Sequence, residues 1–240
     1  FARQGLRDYG ALRQVHAGGE AMSPEGIKAW RQAGLSEVAL LNTYGPTEAI
    51  VTATVADCGG EAQGDQQESV VTIGKPLPAR RIYLLDANLM PVALGIAGEL
   101  YIGGELLARG YLNRPGLTAE RFVADPFDSQ GGRLYRTGDL ARWREDEQIE
   151  YQGRDDHQVK IRAIRIELAE IETQQLQQNA VREEVVEAWE GPSGTRLLAY
   201  VALQADHPLT SPVLREALAQ TLPDYMLPAA IVVLDSLPLN

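Results

Sequence analysis

The feature that most constrains the fold is a run of short, strand-like segments between residues 69 and 153. Turn residues recur about every ten to fifteen positions, and apolar and polar residues alternate in the stretch RIYLLD. This pattern is typical of antiparallel strands joined by tight turns. It predicts a small antiparallel barrel or sheet over residues 69–155, interrupted by one short helix at 118–123. The strand segments read SVVTIGK, RRIYLLD, GELYIGG, RLYRTGD and QIEYQGR.

The first 68 residues have an α/β pattern instead. Ser23, Pro24 and Glu25 supply a hydroxyl cap, a proline at the first helical position and an acid near the positive helix end, and Gly34 marks the stop. The apolar stretch EVALLN at 37–42 then predicts a buried strand that leads into NTYGPTEA at 42–49. Residues 57–68 are Gly-rich and polar, which indicates a surface loop.

A second unit is predicted from about residue 157 to the end of the sequence. QVKIR and RIEL are hairpin-like, LAEIETQQLQQN has helical periodicity, and two strands flank the GPSG turn at 191–194. Ser211 and Pro212 are expected to cap a further helix, and IVVLD forms a last strand. The prediction is a small α+β domain.

Composition excludes several classes of function. The formal net charge of −11 and the pI of about 4.8 argue against broad nucleic-acid binding and against a basic membrane-facing surface. A single cysteine and three widely spaced histidines, His16, His157 and His207, exclude an intrachain disulfide and argue against a zinc site or a His-centred triad. No signal peptide or membrane-spanning stretch is recognisable, so the expected location is the cytoplasm.

The loop NTYGPTE combines an amide (Asn42), an aromatic ring (Tyr44), a hydroxyl (Thr47) and a carboxylate (Glu48). Such a set suits a planar base, a phosphate oxygen and a hard cation such as Mg²⁺. An ordinary turn with an exposed Glu48 is the alternative. Likewise, Asp139 in GRLYRTGDL could accept hydrogen bonds from a ribose diol, or it could bond its own turn. Taken locally, each pair of alternatives stays open.

The order of the motifs resembles a known family. NTYGPTE, GELYIGGELLARGYLNRPGLTAERF, YRTGDL, GRDDHQVKIRAIRIELAEIE and LPDYMLP follow one another as the motifs of nonribosomal peptide synthetase adenylation domains do. This family belongs to the adenylate-forming superfamily of acyl-CoA synthetases and luciferases. The resemblance covers nearly the whole chain. It implies that residues 1–155 are the C-terminal part of the large adenylation core and that residues 156–240 are the small C-terminal subdomain.

The resemblance also implies which residues contact ATP or AMP. The Asn42 amide would meet the edge of the adenine and the Tyr44 ring its face, with the GGE segment along the purine. Asp139 would bind both ribose hydroxyls. The full nucleotide-binding set is Gly18, Gly19, Glu20, Asn42, Tyr44, Asp139, Tyr151 and Arg154.

Catalytic, hinge and pocket roles follow in the same way. Thr47 matches a phosphate contact, Glu48 a Mg²⁺ ligand, and Asp156 the hinge between the two domains. The phosphate-binding loop would lie upstream of Phe1 and the catalytic lysine just beyond Asn240, so we expect the 240 residues alone to be inactive. The implied amino-acid pocket is lined by Val15, Ala17, Thr43, Val51 and Thr52.

The implied activity is formation of an aminoacyl-AMP and its transfer to the phosphopantetheine thiol of a peptidyl carrier domain. Expected partners are that carrier, a condensation domain and, near residues 118–127, an MbtH-like helper protein, but no nucleic acid or membrane. Two alternatives remain at this stage. One is an acyl or aryl acid ligase of the same superfamily, and the other is a non-catalytic docking fragment.

Overall fold

The computed structural model describes residues 11–59, 70–156, 158–161, 164–191, 194–204 and 209–238. Contacts within the chain divide it into two compact units, residues 1–156 and 157–240. Within the described residues no helix is long and apolar enough to cross a membrane.

The first unit opens with a four-stranded sheet, β1 (Gln14–Gly18), β2 (Ala39–Tyr44), β3 (Thr54–Asp57) and β4 (Lys75–Pro76), in that order. Strands β1 and β2 are parallel and are connected by helix α1 (Pro24–Gln32). Ser23 caps α1 as predicted, because its hydroxyl accepts a hydrogen bond from the Gly26 N–H at 3.1 Å. Trp30 of α1 packs in a buried cluster with Leu40 of β2.

The second sheet of this unit confirms the antiparallel prediction. Its strands pair in the order β5-β6-β8-β7, and β9 also pairs with β8. The strand bounds are β5 (Arg80–Leu85), β6 (Gly98–Gly104), β7 (Phe122–Ala124), β8 (Arg133–Trp143) and β9 (Ile149–Arg154).

The helix predicted at 118–123 is shifted in the structure. Helix α2 spans Pro115–Arg121, and Phe122 begins strand β7. Proline is favoured in the first turn of a helix, which explains the earlier start. The earlier end follows from packing, because the Phe122 side chain is buried against Tyr135 of β8.

The two sheets of the first unit share one apolar core. Tyr44, Ala49 and Ala53 from the first sheet and its loop pack with Leu100 and Ile149 of the second. Backbone hydrogen bonds also join them, between Ile73 and Ile149 at 2.8 Å and between Ile149 and Gly74 at 2.9 Å. The segment NTYGPTEA, which comprises the end of β2 and the start of the β2–β3 loop, is therefore packed against the second sheet.

The second unit is α+β, as predicted. A hairpin of β10 (Gln158–Ile161) and β11 (Ile164–Glu167) precedes helix α3 (Leu168–Leu176). A three-stranded sheet follows in the order β12-β13-β14, with β14 parallel to β13. The remaining bounds are β12 (Val181–Gly191), β13 (Gly194–Leu203), α4 (Ser211–Ala219) and β14 (Ala230–Leu234).

One capping prediction in this unit is wrong. The residue that caps α4 is Thr210 rather than Ser211, and its side chain makes no capping hydrogen bond. Two other expectations cannot be compared in full, because residues 60–68 of the predicted surface loop and residues 192–193 of the GPSG turn lie outside the described residues.

Candidate functional site

Two of the predicted segments meet where parallel strands end side by side. The register of β1 and β2 pairs Gly18 with Thr43, so the GGE segment lies next to NTYGPTE. Only glycine fits at position 18, because a Cβ there would lie 2.3 Å from the main-chain oxygen of Thr43. The Thr43 hydroxyl donates to the carbonyl of Ala17 at 3.1 Å. Ligands of α/β proteins commonly bind at such strand ends.

Glu48 lies in the short 3-10 helix Thr47–Ala49, which follows the Gly45-Pro46 turn. It is only 5% exposed, so it is not the exposed turn charge that was its alternative. The Tyr111 hydroxyl donates to Glu48 Oε1 at 2.6 Å, and the Ala108 N–H donates to the Glu48 carbonyl at 2.8 Å. Burial, reinforced by Glu48, raises the pKa of the Tyr111 hydroxyl well above its ordinary value. Glu48 is thus a buried carboxylate with a defined orientation.

The backbone after Glu48 is strained. Ile50 has φ 57° and Val51 has φ 63°, in the left-handed region that β-branched residues rarely adopt. Both side chains are exposed, 55% and 71% respectively. Backbone strain of this kind is often found at functional sites, where the surrounding structure holds it in place.

Asp139 is the central acceptor of a hydrogen-bond network in the candidate site. It is 2% exposed, and its Oδ2 accepts from the Tyr44 hydroxyl at 2.5 Å. Its Oδ1 accepts from the Arg154 guanidinium at 2.7 Å and from the Tyr151 hydroxyl at 3.4 Å. Burial and the neighbouring Asp139 raise the pKa of both Tyr44 and Tyr151, so both hydroxyls remain donors.

The segment of β8 that carries Asp139 is held by Thr137. The Thr137 hydroxyl donates to the Leu100 carbonyl at 2.6 Å and accepts from the Asp139 N–H at 3.0 Å. Asp139 bonds Tyr44, Tyr151 and Arg154 rather than closing a turn on its own side chain. The turn-aspartate alternative is therefore not what the structure shows.

Arg154 joins Asp139 to Asp156. Its Nε and Nη2 donate to the two carboxylate oxygens of Asp156, each at 2.7 Å, while Nη1 donates to Asp139. The Arg154 side chain is 9% exposed, and a buried, doubly paired guanidinium of this kind has a fixed geometry. Asp156 is the last residue of the first unit.

The two residues predicted to contact adenine are both buried in the structure. The Asn42 amide donates to the Thr72 carbonyl at 2.7 Å, and Asn42 is 4% exposed. The Tyr44 ring is 8% exposed and lies 6.4 Å from the Tyr151 ring, measured between centroids. The structure brings Tyr44 and Asp139 together, whereas the Asn42 amide bonds Thr72, and the nucleotide contacts of all three residues stay a prediction.

The five predicted pocket residues are brought together only in part. Thr43 contacts Ala17 through its hydroxyl, and Val15 and Ala17 pack against the buried cluster around Trp30. Val51 is 71% exposed, and Thr52 is half-buried. The role of the five residues in binding an amino-acid side chain also stays a prediction.

No group of three or more His, Cys, Asp or Glu side chains within the described ranges could hold a metal ion. A Mg²⁺ site does not require such a group, because Mg²⁺ keeps several waters and is commonly bound by one or two carboxylates together with substrate phosphates. Glu48 supplies one such carboxylate.

Sequence reasoning missed Tyr111 and Thr137. Tyr111 bonds a residue 63 positions earlier in the chain, and no local pattern relates the two. Thr137 stands two positions before Asp139, and a hydroxyl that bonds the main chain two residues on is a known turn signal. That spacing could have found Thr137.

Comparison with known proteins identifies the class. A family model described as AMP-binding enzyme matches residues 2–112. The chain is 47% identical over 230 residues to a probable non-canonical nonribosomal peptide synthetase, CymA, of Salinispora arenicola, covering 95% of this chain and 3% of that protein. It is 43% identical over 231 residues to a dimodular nonribosomal peptide synthase of Bacillus subtilis, covering 96% of this chain and 10% of that protein.

A solved structure agrees with these relatives. It is an artificially fused adenylation–carrier di-domain, NpsA-ThdA, of Klebsiella oxytoca, 32% identical, with a TM-score of 0.75 over 91% of this chain and 39% of that one. The chain belongs to the AMP-binding, adenylate-forming family and is part of an adenylation domain of the nonribosomal peptide synthetase type. It spans a small fraction of the length of the curated relatives it matches.

Proposed function

We propose that this chain forms part of a site that activates an amino acid as its aminoacyl-AMP and passes the acyl group to a carrier-protein thiol. The observation that carries the proposal is the hydrogen bond between Tyr44 and Asp139. It joins the NTYGPTE loop to a buried carboxylate 95 residues later, in the other sheet. A carboxylate that accepts hydrogen bonds, beside an aromatic ring, suits the ribose hydroxyls and the planar base of a nucleotide.

The residues of the Asp139 network fit a bound nucleotide. Each carboxylate oxygen can accept about two hydrogen bonds, so Asp139 can accept from ribose hydroxyls in addition to or in place of the tyrosines. Arg154 donates to Asp139 at 2.7 Å, which fixes the orientation of the carboxylate that would meet the ribose. Gly18 and Gly19 present a main chain without side-chain bulk at the end of β1, where a planar base could approach.

The proposed reaction has two steps. An oxygen of the amino-acid carboxylate attacks the α-phosphorus of ATP, the bond to the bridging oxygen breaks, and pyrophosphate leaves with the electron pair. The carrier thiol, after losing its proton, then attacks the acyl carbonyl carbon, and AMP leaves. The protein's part is to align the reactants and to stabilise charge, with Thr47 donating toward a phosphate oxygen.

Glu48 would hold the divalent cation in this scheme. When bound, Mg²⁺ neutralises charge that develops on the phosphate oxygens. The buried Glu48 carboxylate is held in one orientation before any ligand arrives, which lowers the reorganisation that cation binding requires.

The remaining assignments belong to the same proposal. Residues 1–155 are assigned to the large core and 156–240 to the small subdomain, with Asp156 as the hinge at which the second half-reaction is reached. The fused carrier in the Klebsiella oxytoca protein supports a peptidyl carrier as the partner. A condensation domain and an MbtH-like protein are further proposed partners, and the cytoplasm supplies both ATP and amino acids.

The test is an ATP–pyrophosphate exchange assay on the complete adenylation domain that contains these residues. The panel comprises the proteinogenic amino acids and, for the alternative ligase function, aryl acids. We expect exchange with at least one amino acid. Asp139→Asn should lower kcat/KM for ATP by about 10- to 100-fold, because a charge-assisted contact to the ribose is lost.

Asp128→Asn is the matched control. Asp128 lies in the same unit but pairs with Arg81 on the surface, so its substitution should leave exchange unchanged. Exchange with aryl acids alone would favour the acid-ligase alternative. No exchange with any acid, or full activity of Asp139→Asn, would contradict the proposal.

A further inference from the structure

We propose that Tyr111 is a positioning residue that fixes the Glu48 carboxylate for the divalent cation. The β6–α2 loop (residues 105–114) would thereby set the affinity of the site for that cation. The inference rests on the proposed function, in which Glu48 is the cation ligand.

The β6–α2 loop makes two hydrogen bonds to Glu48. The Tyr111 hydroxyl donates to Glu48 Oε1 at 2.6 Å, and the Ala108 N–H donates to the Glu48 carbonyl at 2.8 Å. One bond orients the side chain and the other fixes the main chain of the 3-10 helix that carries it. A two-point attachment restricts both the position of the Glu48 Cα and the rotation of its carboxylate.

Tyr111 itself is held rigidly. Its N–H donates to the Thr118 hydroxyl at 2.9 Å, and its ring meets Phe122 edge-on with centroids 5.7 Å apart. The Tyr111 and Tyr135 hydroxyls are 3.5 Å apart. Tyr111 is therefore held by α2 and by the second sheet. The position of its hydroxyl relative to Glu48 is fixed as a result.

The main chain of the loop is anchored by Arg133. Its guanidinium donates to the carbonyls of Arg109 at 2.9 Å and Ala108 at 3.1 Å, and it lies over the Phe122 ring at 5.3 Å from the centroid. The segment between Ala108 and Tyr111 is thus tied to β8 on one side and to Glu48 on the other.

Tyr111 would therefore act on the carboxylate that binds the cation and would not touch the cation itself. Mg²⁺ demands near-ideal octahedral geometry, so a carboxylate that rotates freely loses affinity for it. Hydrogen-bond partners that orient a ligating group typically contribute about 10- to 100-fold in metal affinity. Tyr111 is the donor that orients Glu48, and its loss should therefore weaken cation binding without removing the ligand.

The experiment compares Tyr111→Phe with the wild type in the complete adenylation domain. Binding of Mn²⁺, which reports on the Mg²⁺ site, is followed by electron paramagnetic resonance in the presence of α,β-methylene-ATP. We expect Mn²⁺ affinity to fall by about 10-fold. The Mg²⁺ concentration for half-maximal pyrophosphate exchange should rise by a similar factor, while kcat at saturating Mg²⁺ changes by less than about 3-fold.

A double-variant cycle separates positioning from general damage. In a Glu48→Gln background, Tyr111→Phe should have no further effect on Mn²⁺ affinity, because the two residues act as one unit. Tyr83→Phe is the matched control, since Tyr83 stacks on Phe127 away from Glu48. It should bind Mn²⁺ as the wild type does.

Each other outcome overturns the inference. Wild-type Mn²⁺ affinity in Tyr111→Phe would show that the bond to Glu48 is irrelevant to the cation. An equal loss in the Glu48→Gln background would show that Tyr111 acts structurally. Wild-type exchange together with unchanged Mn²⁺ affinity in Glu48→Gln would remove Glu48 as the ligand but leave the proposed reaction intact. No exchange in the wild type would instead refute the proposed function itself.

Discussion

At the scale of single residues, Glu184 of the second unit has an unusual environment for a carboxylate. It lies on β12 beside Glu172 of α3, and within the described residues neither of its buried carboxylate oxygens has a hydrogen-bond partner. Burial first, and then the charge of Glu172, raises the pKa of Glu184 to about 9. Glu172 itself accepts a hydrogen bond from the Val186 N–H at 2.9 Å. Glu184 is therefore protonated in the folded state at neutral pH.

The raised pKa predicts how stability depends on pH. In the unfolded chain a glutamate has a pKa of about 4.3, so between about 4.3 and 9 the folded state holds a proton that the unfolded state has lost. The contribution of Glu184 to stability is therefore fully present below about pH 4.3 and is lost as the pH rises towards 9. Glu184→Gln should remove this slope and stabilise the protein at pH 8 by about 1 kcal/mol, a value discounted for solvent screening.

Thermal unfolding across pH 5–9 measures this effect, with Glu187→Gln as the control. Glu187 lies on the same strand but is exposed, so its substitution should leave the slope unchanged. A pH dependence in Glu184→Gln that matches the wild type would contradict the assignment.

The candidate site shows what residue types alone can indicate. Asp139, Tyr44 and Glu48 were recognisable from their chemistry and motif order, and the structure places all three as buried, hydrogen-bonded groups. Their partners were not recognisable in the same way. A hydrogen bond between Glu48 and Tyr111 depends on how two loops pack, which no spacing along the chain encodes.

At the scale of elements, helices α1 and α4, which share a Ser-Pro sequence at their start, differ in how they begin. The Ser23 hydroxyl accepts from the Gly26 N–H at 3.1 Å, whereas the Thr210 side chain makes no capping bond. Their sequences, Ser-Pro in both cases, look alike. In α4 the serine lies inside the helix, so the threonine before it occupies the cap position.

This difference predicts that removing the two hydroxyls lowers helix stability by unequal amounts. Ser23→Ala should destabilise α1 by about 1 kcal/mol, because the Gly26 N–H loses its partner. Thr210→Ala should cost clearly less, because there is no capping bond to lose. Hydrogen exchange of the first-turn amides, measured by NMR or mass spectrometry, reports each helix separately. Equal protection losses in the two variants would contradict the cap geometry.

Helix α2 shows a competition between local and tertiary preferences. Residues 118–123 have good helical composition, yet the helix ends at Arg121. Phe122 is not helical, because pairing in β7–β8 and burial against Tyr135 stabilise the fold more than one further helical residue would. A helix boundary predicted from composition is wrong when an apolar residue near the helix end is buried more fully by pairing in a strand.

At the scale of the whole molecule, each unit has its own apolar core. Among the residues that the structure describes, the cluster that contains Ile166, Ile171, Leu197, Leu214 and Ile231 consists of residues after 157. The other buried clusters draw only on residues before it. A unit with a self-contained core is expected to fold without the rest of the chain.

Residues 157–240 expressed alone should therefore unfold in a single cooperative thermal transition, followed by circular dichroism. Ile171→Ala should lower its stability by about 2–5 kcal/mol, because Ile171 is fully buried. Val233→Ala is the control, since Val233 is 40% exposed and its truncation leaves no cavity. A broad, non-cooperative transition of the unsubstituted unit would show that its core needs the first unit.

The order and type of most elements, the antiparallel sheet, the α+β second unit and the family could all be predicted from the amino-acid sequence. These follow from hydrophobic periodicity, turn residues and motif order, all of which are written in local stretches of chain. The hydrogen bonds between Tyr44 and Asp139, which lie in different sheets, and between Tyr111 and Glu48 became visible only in the folded structure. Such contacts arise from the packing of side chains far apart in sequence. Their geometry is set by the shared core of Tyr44, Ala49 and Ile149 rather than by any local pattern.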